Sequence, residues 1–171
     1  DVVHRLVTVP LGLTDTFIAE RMEDWSLCVP GFGREVHPHG ELLDVRNRYH
    51  FGWVAPGVAI STVEDTTQFF DALFAGKILK ESSLETMLTL TRVPGEHPPA
   101  VSPSYGMGIM ADPDAPAGAS YGHGGGGPGY SLSSTIIPNS SIGRLSISVF
   151  CNSSDGADAD QIARSWIGHV L

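Results

Sequence analysis

Apolar and polar positions along this chain change rhythm twice. Residues 1 to about 50 show little regular periodicity and are interrupted by turn signals at Pro10-Leu11-Gly12, Pro30-Gly31-Phe32-Gly33 and His37-Pro38-His39-Gly40. This stretch reads as loops with short elements. A helical period then takes over. Ser61-Thr62-Val63-Glu64 has the S-x-x-E form of a capping box, and Phe69, Phe70, Leu73 and Phe74 recur at helical spacing until Gly76, predicting a helix over 62–75. Ser82-Ser83-Leu84-Glu85 repeats the signal and opens a second helix with Leu84, Met87, Leu88 and Thr91 inward, stopped before Pro94. Residues 94–103, rich in proline, form a linker.

Beyond the linker the period shortens to that of strands, at Tyr105 to Met110, Ser120 to Gly125, Tyr130 to Ile137 and Arg144 to Cys151. Pro138-Asn139-Ser140-Ser141 supplies a turn, so the last two strands are expected to pair as an antiparallel hairpin. The chain closes with a helix over 157–171, one face marked by Ile162, Trp166, Ile167 and Val170. Helices and loops over 1–103, followed by antiparallel strands and a helix over 104–171, make part of an α+β layer structure, a single incomplete domain.

Composition narrows the function classes. The 171 residues are 42% apolar and 17% charged, a globular balance. Net charge is −9 and the only lysines are Lys77 and Lys80, so no basic stripe exists to neutralise phosphates, and nucleic acid is excluded as a partner. No apolar run approaches the ~20 residues of a membrane helix. The start, Asp1-Val2-Val3-His4-Arg5, lacks the plan of a signal peptide, so a soluble chain of unknown compartment is expected, with any signal peptide outside it. Cys28 and Cys151 read as two separate thiols, with no metal-like spacing.

The chemistry concentrates in Tyr121-Gly122-His123-Gly124-Gly125-Gly126-Gly127-Pro128-Gly129-Tyr130. So many glycines lose much backbone entropy on ordering, which calls for a reason. Glycine lets a ligand or another backbone approach a strand closely, and its N–H groups can face a developing oxyanion. A histidine beside them can move a proton near neutral pH. A plain glycine-rich turn is the alternative. The glycines lie between strands, with no G-x-G-x-x-G running into a helix and no G-K-[ST], which disfavours a phosphate cradle. His123-Gly124-Gly125-Gly126 also spells the H-G-G-G element of some lipases, but no G-x-S-x-G elbow follows; Gly129-Tyr130-Ser131-Leu132-Ser133 fails at its last position.

At these residues the chain resembles a known family. Gly122-His123-Gly124-Gly125 followed by Pro128-Gly129-Tyr130-Ser131 is similar to the H-x-G motif of the serine β-lactamase, DD-peptidase and esterase family, where it replaces K-T-G. Pro10 to Thr16 resembles that family's "PLGMxxT" stretch, Ala55 to Asp65 its "AGGlxSTaxDlxxF" helix entry, and Tyr105-Gly106-Met107-Gly108 its "YGxGW" strand. The resemblance implies the C-terminal portion of the β-lactamase/transpeptidase-like fold, with the first strands of the sheet supplied from elsewhere and the glycine-rich strand lying against the nucleophile's helix. It implies an acyl-serine mechanism on an ester, amide, D-amino-acid peptide or β-lactam, without cofactor or metal.

Two family motifs are absent. S-x-x-K requires a serine three before a lysine, and Phe74 and Lys77 occupy those positions. Y-x-N fails because Tyr49, Tyr105, Tyr121 and Tyr130 are followed two residues later by Phe51, Met107, His123 and Leu132. Both motifs belong upstream of Pro10, so the expected partner is a missing N-terminal half or a second chain, with a small-molecule or peptide acyl substrate. By resemblance, His123 binds the substrate carboxylate or assists proton transfer, and the N–H of Gly126 is an oxyanion donor. Gly124 and Gly125 keep the strand flat against substrate, and Tyr130 forms either the pocket wall or core. For Trp53, packing of the loop before the helix competes with a substrate contact. Taken alone, the chain is expected not to be an enzyme. A non-catalytic binding module of the same fold and a metal or phosphate site at His123 are the competing functions.

Overall fold

The longest strands lie in the C-terminal part of the chain, within a six-stranded sheet, and the N-terminal third contributes only short elements. A computed structural model describes residues 2–53 and 58–171. The first part of the Ala55 to Asp65 segment falls on 54–57, outside the described residues. In chain order, a π-helical turn His4–Thr8 leads into α1 (Val9–Leu11), then β1 (Phe17–Ile18), a 3-10 turn Met22–Leu27, β2 (Phe32–Gly33), β3 (Leu43–Asp44) and a 3-10 turn Phe51–Trp53. There follow β4 (Ala59–Ile60), α2 (Val63–Phe74), α3 (Glu81–Met87), β5 (Thr91–Arg92), β6 (Ser104–Tyr105), β7 (Met110–Asp112), β8 (Ser120–Gly127), β9 (Tyr130–Ser140), β10 (Gly143–Cys151) and α4 (Ala159–Val170). The chain is α+β, as expected.

The first helix is not signalled by the sequence pattern. Pro10 lies inside it rather than in a turn, within a short helix preceded by a wider π-helical turn, and Gly12 closes it at φ 67°. Helix α2 starts one residue later than the S-x-x-E box implies, because Thr62 and not Ser61 is the cap: its hydroxyl accepts from the Asp65 N–H at 3.1 Å. Asp65 is buried, and its Oδ2 accepts from the Asp15 N–H (3.0 Å) and the Thr16 hydroxyl (2.8 Å), tying the start of α2 to the segment after α1. The second box does not form. Helix α3 begins at Glu81 behind Lys80, with no side-chain cap, and Thr91 belongs to β5.

The sheet is antiparallel throughout, in the order β10-β9-β8-β7-β6-β5. The expected single strand over 105–110 is a hairpin instead: Gly108, at φ 73°, turns the chain, and the Gly106 N–H donates to the Ile109 carbonyl. The β9–β10 hairpin forms as expected. Its turn is Ser141-Ile142, and Pro138-Asn139 instead lie in β9 at a register shift, where the missing proline N–H does least damage.

Alternation assigns the faces. On one face, Tyr121, Ile136 and Ser146 share a register row, as do His123, Ser134 and Ser148. Helix α2 covers this face, with Phe74 against Tyr121 (5.2 Å between ring centroids) and Asp71 paired to Arg144 at 3.3 Å. The other face carries Gly124, Ser133 and Val149 and receives α4. There the Ser133 hydroxyl donates to Asp160 and the Ala159 N–H donates to the Ser131 hydroxyl. Ile109, Ile136 and Ile137 are fully buried, each stabilising the fold by about 1.5–3 kcal/mol.

The stripe that α4 buries corrects the sequence reading. Ala159 and Ala163 lie against the sheet at 0% exposure, whereas Ile162, Trp166 and Val170 are 40%, 58% and 47% exposed. Small side chains let the helix backbone approach the Ser131–Ser133 row closely, which turns the bulkier stripe outward.

Candidate active site

The tip of the β8–β9 hairpin is held by the loop over 28–46. Gly129 occupies φ 79° in a two-residue turn with Pro128, and a side chain there would stand 2.5 Å from Val45, which is fully buried. The Val45 N–H donates to the Gly31 carbonyl, and the Asp44–Arg46 pair, closed by bidentate bonds of 2.8–3.1 Å, sets the loop by donating from Arg46 to the Cys28 carbonyl. The Arg46 guanidinium holds the Asp44 carboxyl below the usual carboxylate range. The Gly129 N–H donates to the Ser154 hydroxyl at 2.9 Å, so both ends of the turn are fixed.

Tyr130 belongs to this scaffold. Its hydroxyl donates to the Val29 carbonyl at 2.9 Å, its ring stacks on Phe150 with centroids 5.6 Å apart, and it packs flat on Gly31, where no Cβ could fit. Burial, with a smaller contribution from nearby Cys28, pushes its phenol up to about 12. Tyr130 also lines a cavity of about 390 Å³ with Glu35, Gly126, Gly127, Ser131 and Ser154. Tyr130 thus lines this cavity and packs the loop that holds the hairpin tip.

The glycines divide into two groups. At Gly122 an added Cβ would lie 2.0 Å from the Ser134 carbonyl oxygen, so the fold itself requires glycine there. At Gly124 and Gly126 the nearest atom is 3.7 and 4.0 Å away, and at Gly127 nothing lies within 4 Å. Gly125 is intermediate, 3.2–3.4 Å from the Leu132 side chain, which is 40% exposed and able to move. Packing within this chain does not account for glycine at 124, 126 and 127.

Strand β7 pairs β8 only as far as Gly122, so 123–127 is an open edge on that side among the described residues. Gly127 and Tyr130 flank the turn and form a hydrogen-bonded pair in such a hairpin; alternation along the ladder then directs the N–H groups of Gly126 and Gly124 away from β9. Two adjacent outward donors on an open strand edge suit an oxyanion.

His123 stands at the head of this edge. Its Nδ1 lies 2.5 Å from the Gly124 carbonyl, and its Nε2 lies 2.9 Å from the Tyr105 hydroxyl. The rings meet edge to face at 5.9 Å. The structure thus brings Gly126 and Tyr130 to one cavity and gives His123 a partner that sequence reasoning missed. Tyr105 is visible in sequence only as part of a strand motif; its pairing across 18 residues follows from the β6–β7 hairpin. Trp53 lies apart. It is 76% exposed, its ring 5.9 Å from Tyr49 beside Trp25, and it takes no part in the cavity. Among the described residues no group of three or more acidic, histidine or cysteine side chains is placed to hold a metal ion. Among the described residues no helix is long and apolar enough to cross a membrane.

A family profile described as Beta-lactamase matches residues 1–170. The chain belongs to that family. Solved structures share its fold: a D-stereospecific amidohydrolase from Streptomyces sp. superposes with a TM-score of 0.75 at 24% identity, over 95% of this chain and 46% of that one. A penicillin-binding protein homologue from Pyrococcus abyssi, described as octameric, gives 0.80 at 22% identity, over 99% of this chain and 37% of its own. D-amino acid amidase from Ochrobactrum anthropi SV3, solved with L-phenylalanine, gives 0.73 at 20% identity, over 98% and 51%. The chain therefore spans about half, or less, of the structures it matches. No curated protein matches it.

Proposed function

We propose that this chain is the substrate-side half of a serine hydrolase, working with an upstream half or second chain that carries the S-x-x-K nucleophile. The observation that carries the proposal is the open edge of β8, where His123 and the outward N–H of Gly126 stand beside glycines that packing does not explain. In the reaction, the serine oxygen attacks an acyl carbonyl while its proton passes to the lysine. The carbonyl oxygen becomes an oxyanion held by the Gly126 N–H and the nucleophile's own N–H, one such donor lowering the barrier by about 3 kcal/mol. Collapse expels the alcohol or amine, and water releases the acyl-serine.

The surface supports a partner half. The chain exposes 10249 Å², against about 8,100 Å² for a compact monomer of its mass. The excess exceeds the roughly 800 Å² that one partner buries in a standard interface. Strand β10 has no neighbour on its outer side among the described residues, and Phe150 and Trp166 are exposed on opposite faces of the layer. A cleft of about 630 Å³ between α2 and β10 contains the Ser146 hydroxyl, buried and without a partner among the described residues. Each of these features fits a surface covered by the rest of a domain.

The test is to join the chain to the segment encoded upstream and offer an ester chromogen. Turnover by the joined protein and none by the chain alone supports the proposal. A joined protein that binds acyl ligands without turning them over favours the non-catalytic binding module.

A further inference from the structure

The His123–Tyr105 pair carries more than a place in the site. A carbonyl oxygen only accepts, so the contact to Gly124 puts the imidazole proton on Nδ1. In the neutral ring Nε2 is then an acceptor, and the Tyr105 hydroxyl donates its only proton to it. Both histidine nitrogens are occupied within the chain. What remains to meet a ligand is the phenol oxygen with its lone pairs, on a tyrosine that is 38% exposed. A neutral pair of this kind presents an acceptor and no donor.

We propose that Tyr105 is a specificity-determining residue: through it, the histidine strand selects acyl substrates bearing an ammonium or N–H group near the scissile carbonyl and disfavours those bearing a carboxylate there. This rests on the hydrolase reading above and changes the role given to His123, from direct carboxylate binding to orienting Tyr105. An ammonium donates to the phenol oxygen, whereas a carboxylate brings lone pairs against lone pairs. A hydrogen bond to a charged group is worth about 1.5–3 kcal/mol, or roughly ten- to a hundredfold in affinity.

Two measurements test this. In the joined protein, three chromogenic esters that differ only in an amino, methyl or carboxylate group beside the acyl carbon are compared for kcat and KM. The wild type is expected to favour the amino over the methyl ester about tenfold or more, mainly through KM, with the carboxylate last. Tyr105→Phe is expected to bring the amino-to-methyl ratio within about threefold. A carboxylate preference in the wild type, or a ratio unchanged in Tyr105→Phe, overturns the role of Tyr105 while the hydrolase reading stands; no turnover of any ester overturns both. Independently of activity, the imidazole 15N spectrum of His123 in the joined protein is expected to show Nδ1 protonated and Nε2 accepting. The opposite tautomer removes the basis of the proposal.

Discussion

Substituting Gly125 by alanine separates what the fold needs from what the site needs. Its backbone is not in the left-handed region, so alanine is conformationally allowed and reduces the entropy of the unfolded chain, a gain of about 0.4–1 kcal/mol. Against this, the new methyl stands 3.2–3.4 Å from Leu132, so that partly exposed side chain must yield by a few tenths of an ångström. The two effects are opposed and similar in size, so stability is expected to change by less than about 1 kcal/mol, or roughly 2–4 °C in Tm for a chain of this length. Gly122→Ala supplies the contrast. Its methyl would stand 2.0 Å from a backbone oxygen, which no rotamer change relieves, and at least 1–3 kcal/mol is lost. Activity is expected to rank the other way for Gly125→Ala. If an acyl group lies on the strand there, displacement from the Gly126 N–H removes about 3 kcal/mol of transition-state stabilisation, roughly a hundredfold in kcat/KM of the joined protein. Thermal unfolding and ester turnover are measured on the same preparations. A Tm fall of more than about 10 °C would show that the fold requires glycine at 125, and turnover within threefold of wild type would show that no acyl group lies there.

Three further outcomes follow from the geometry. Asp65→Ala removes two bonds to a buried carboxylate and is expected to lower stability by about 2 kcal/mol in urea unfolding, with Asp65→Asn restoring part of it. Tyr130 has its phenol raised in the folded state. Its stabilising contribution is therefore complete below about pH 10, the unfolded value, and is lost as pH rises towards about 12; Tyr130→Phe should remove this alkaline slope in denaturant titrations while costing about 1 kcal/mol at neutral pH for the lost bond to Val29. The isolated chain is expected to self-associate in sedimentation velocity through β10 and the outer face of α4, and Trp166→Glu should weaken that association.

Sequence reasoning succeeded where periodicity and turn chemistry act locally. The apolar run of α2, its end at Gly76, the strands β8, β9 and β10 and the pairing of the last two all show in the sequence, since each is set by neighbours a few residues away. It failed where a single residue decides. Gly108 splits the expected strand into a hairpin, and Thr62 rather than Ser61 takes the cap because the next residue has the geometry to reach Asp65. It failed also at α4, where hydrophobic size suggested one stripe and closeness of approach chose the alanines. The glycine-rich strand stood out from composition, but only the structure distinguishes Gly122, required by packing, from Gly124, Gly126 and Gly127, which are not. Tyr105 could not be seen as a partner of His123, because a contact between strands that are not sheet neighbours leaves no local pattern.

The central claim, that this chain completes an acyl-serine site begun elsewhere, is tested most directly by intact-protein mass spectrometry after brief exposure to a slow-hydrolysing acyl donor. One acyl adduct is expected on the joined protein, mapping to a serine upstream of residue 1 and sensitive to Gly125→Ala, with no adduct on the 171-residue chain alone. An adduct on a residue of this chain, or none on the joined protein, would contradict it.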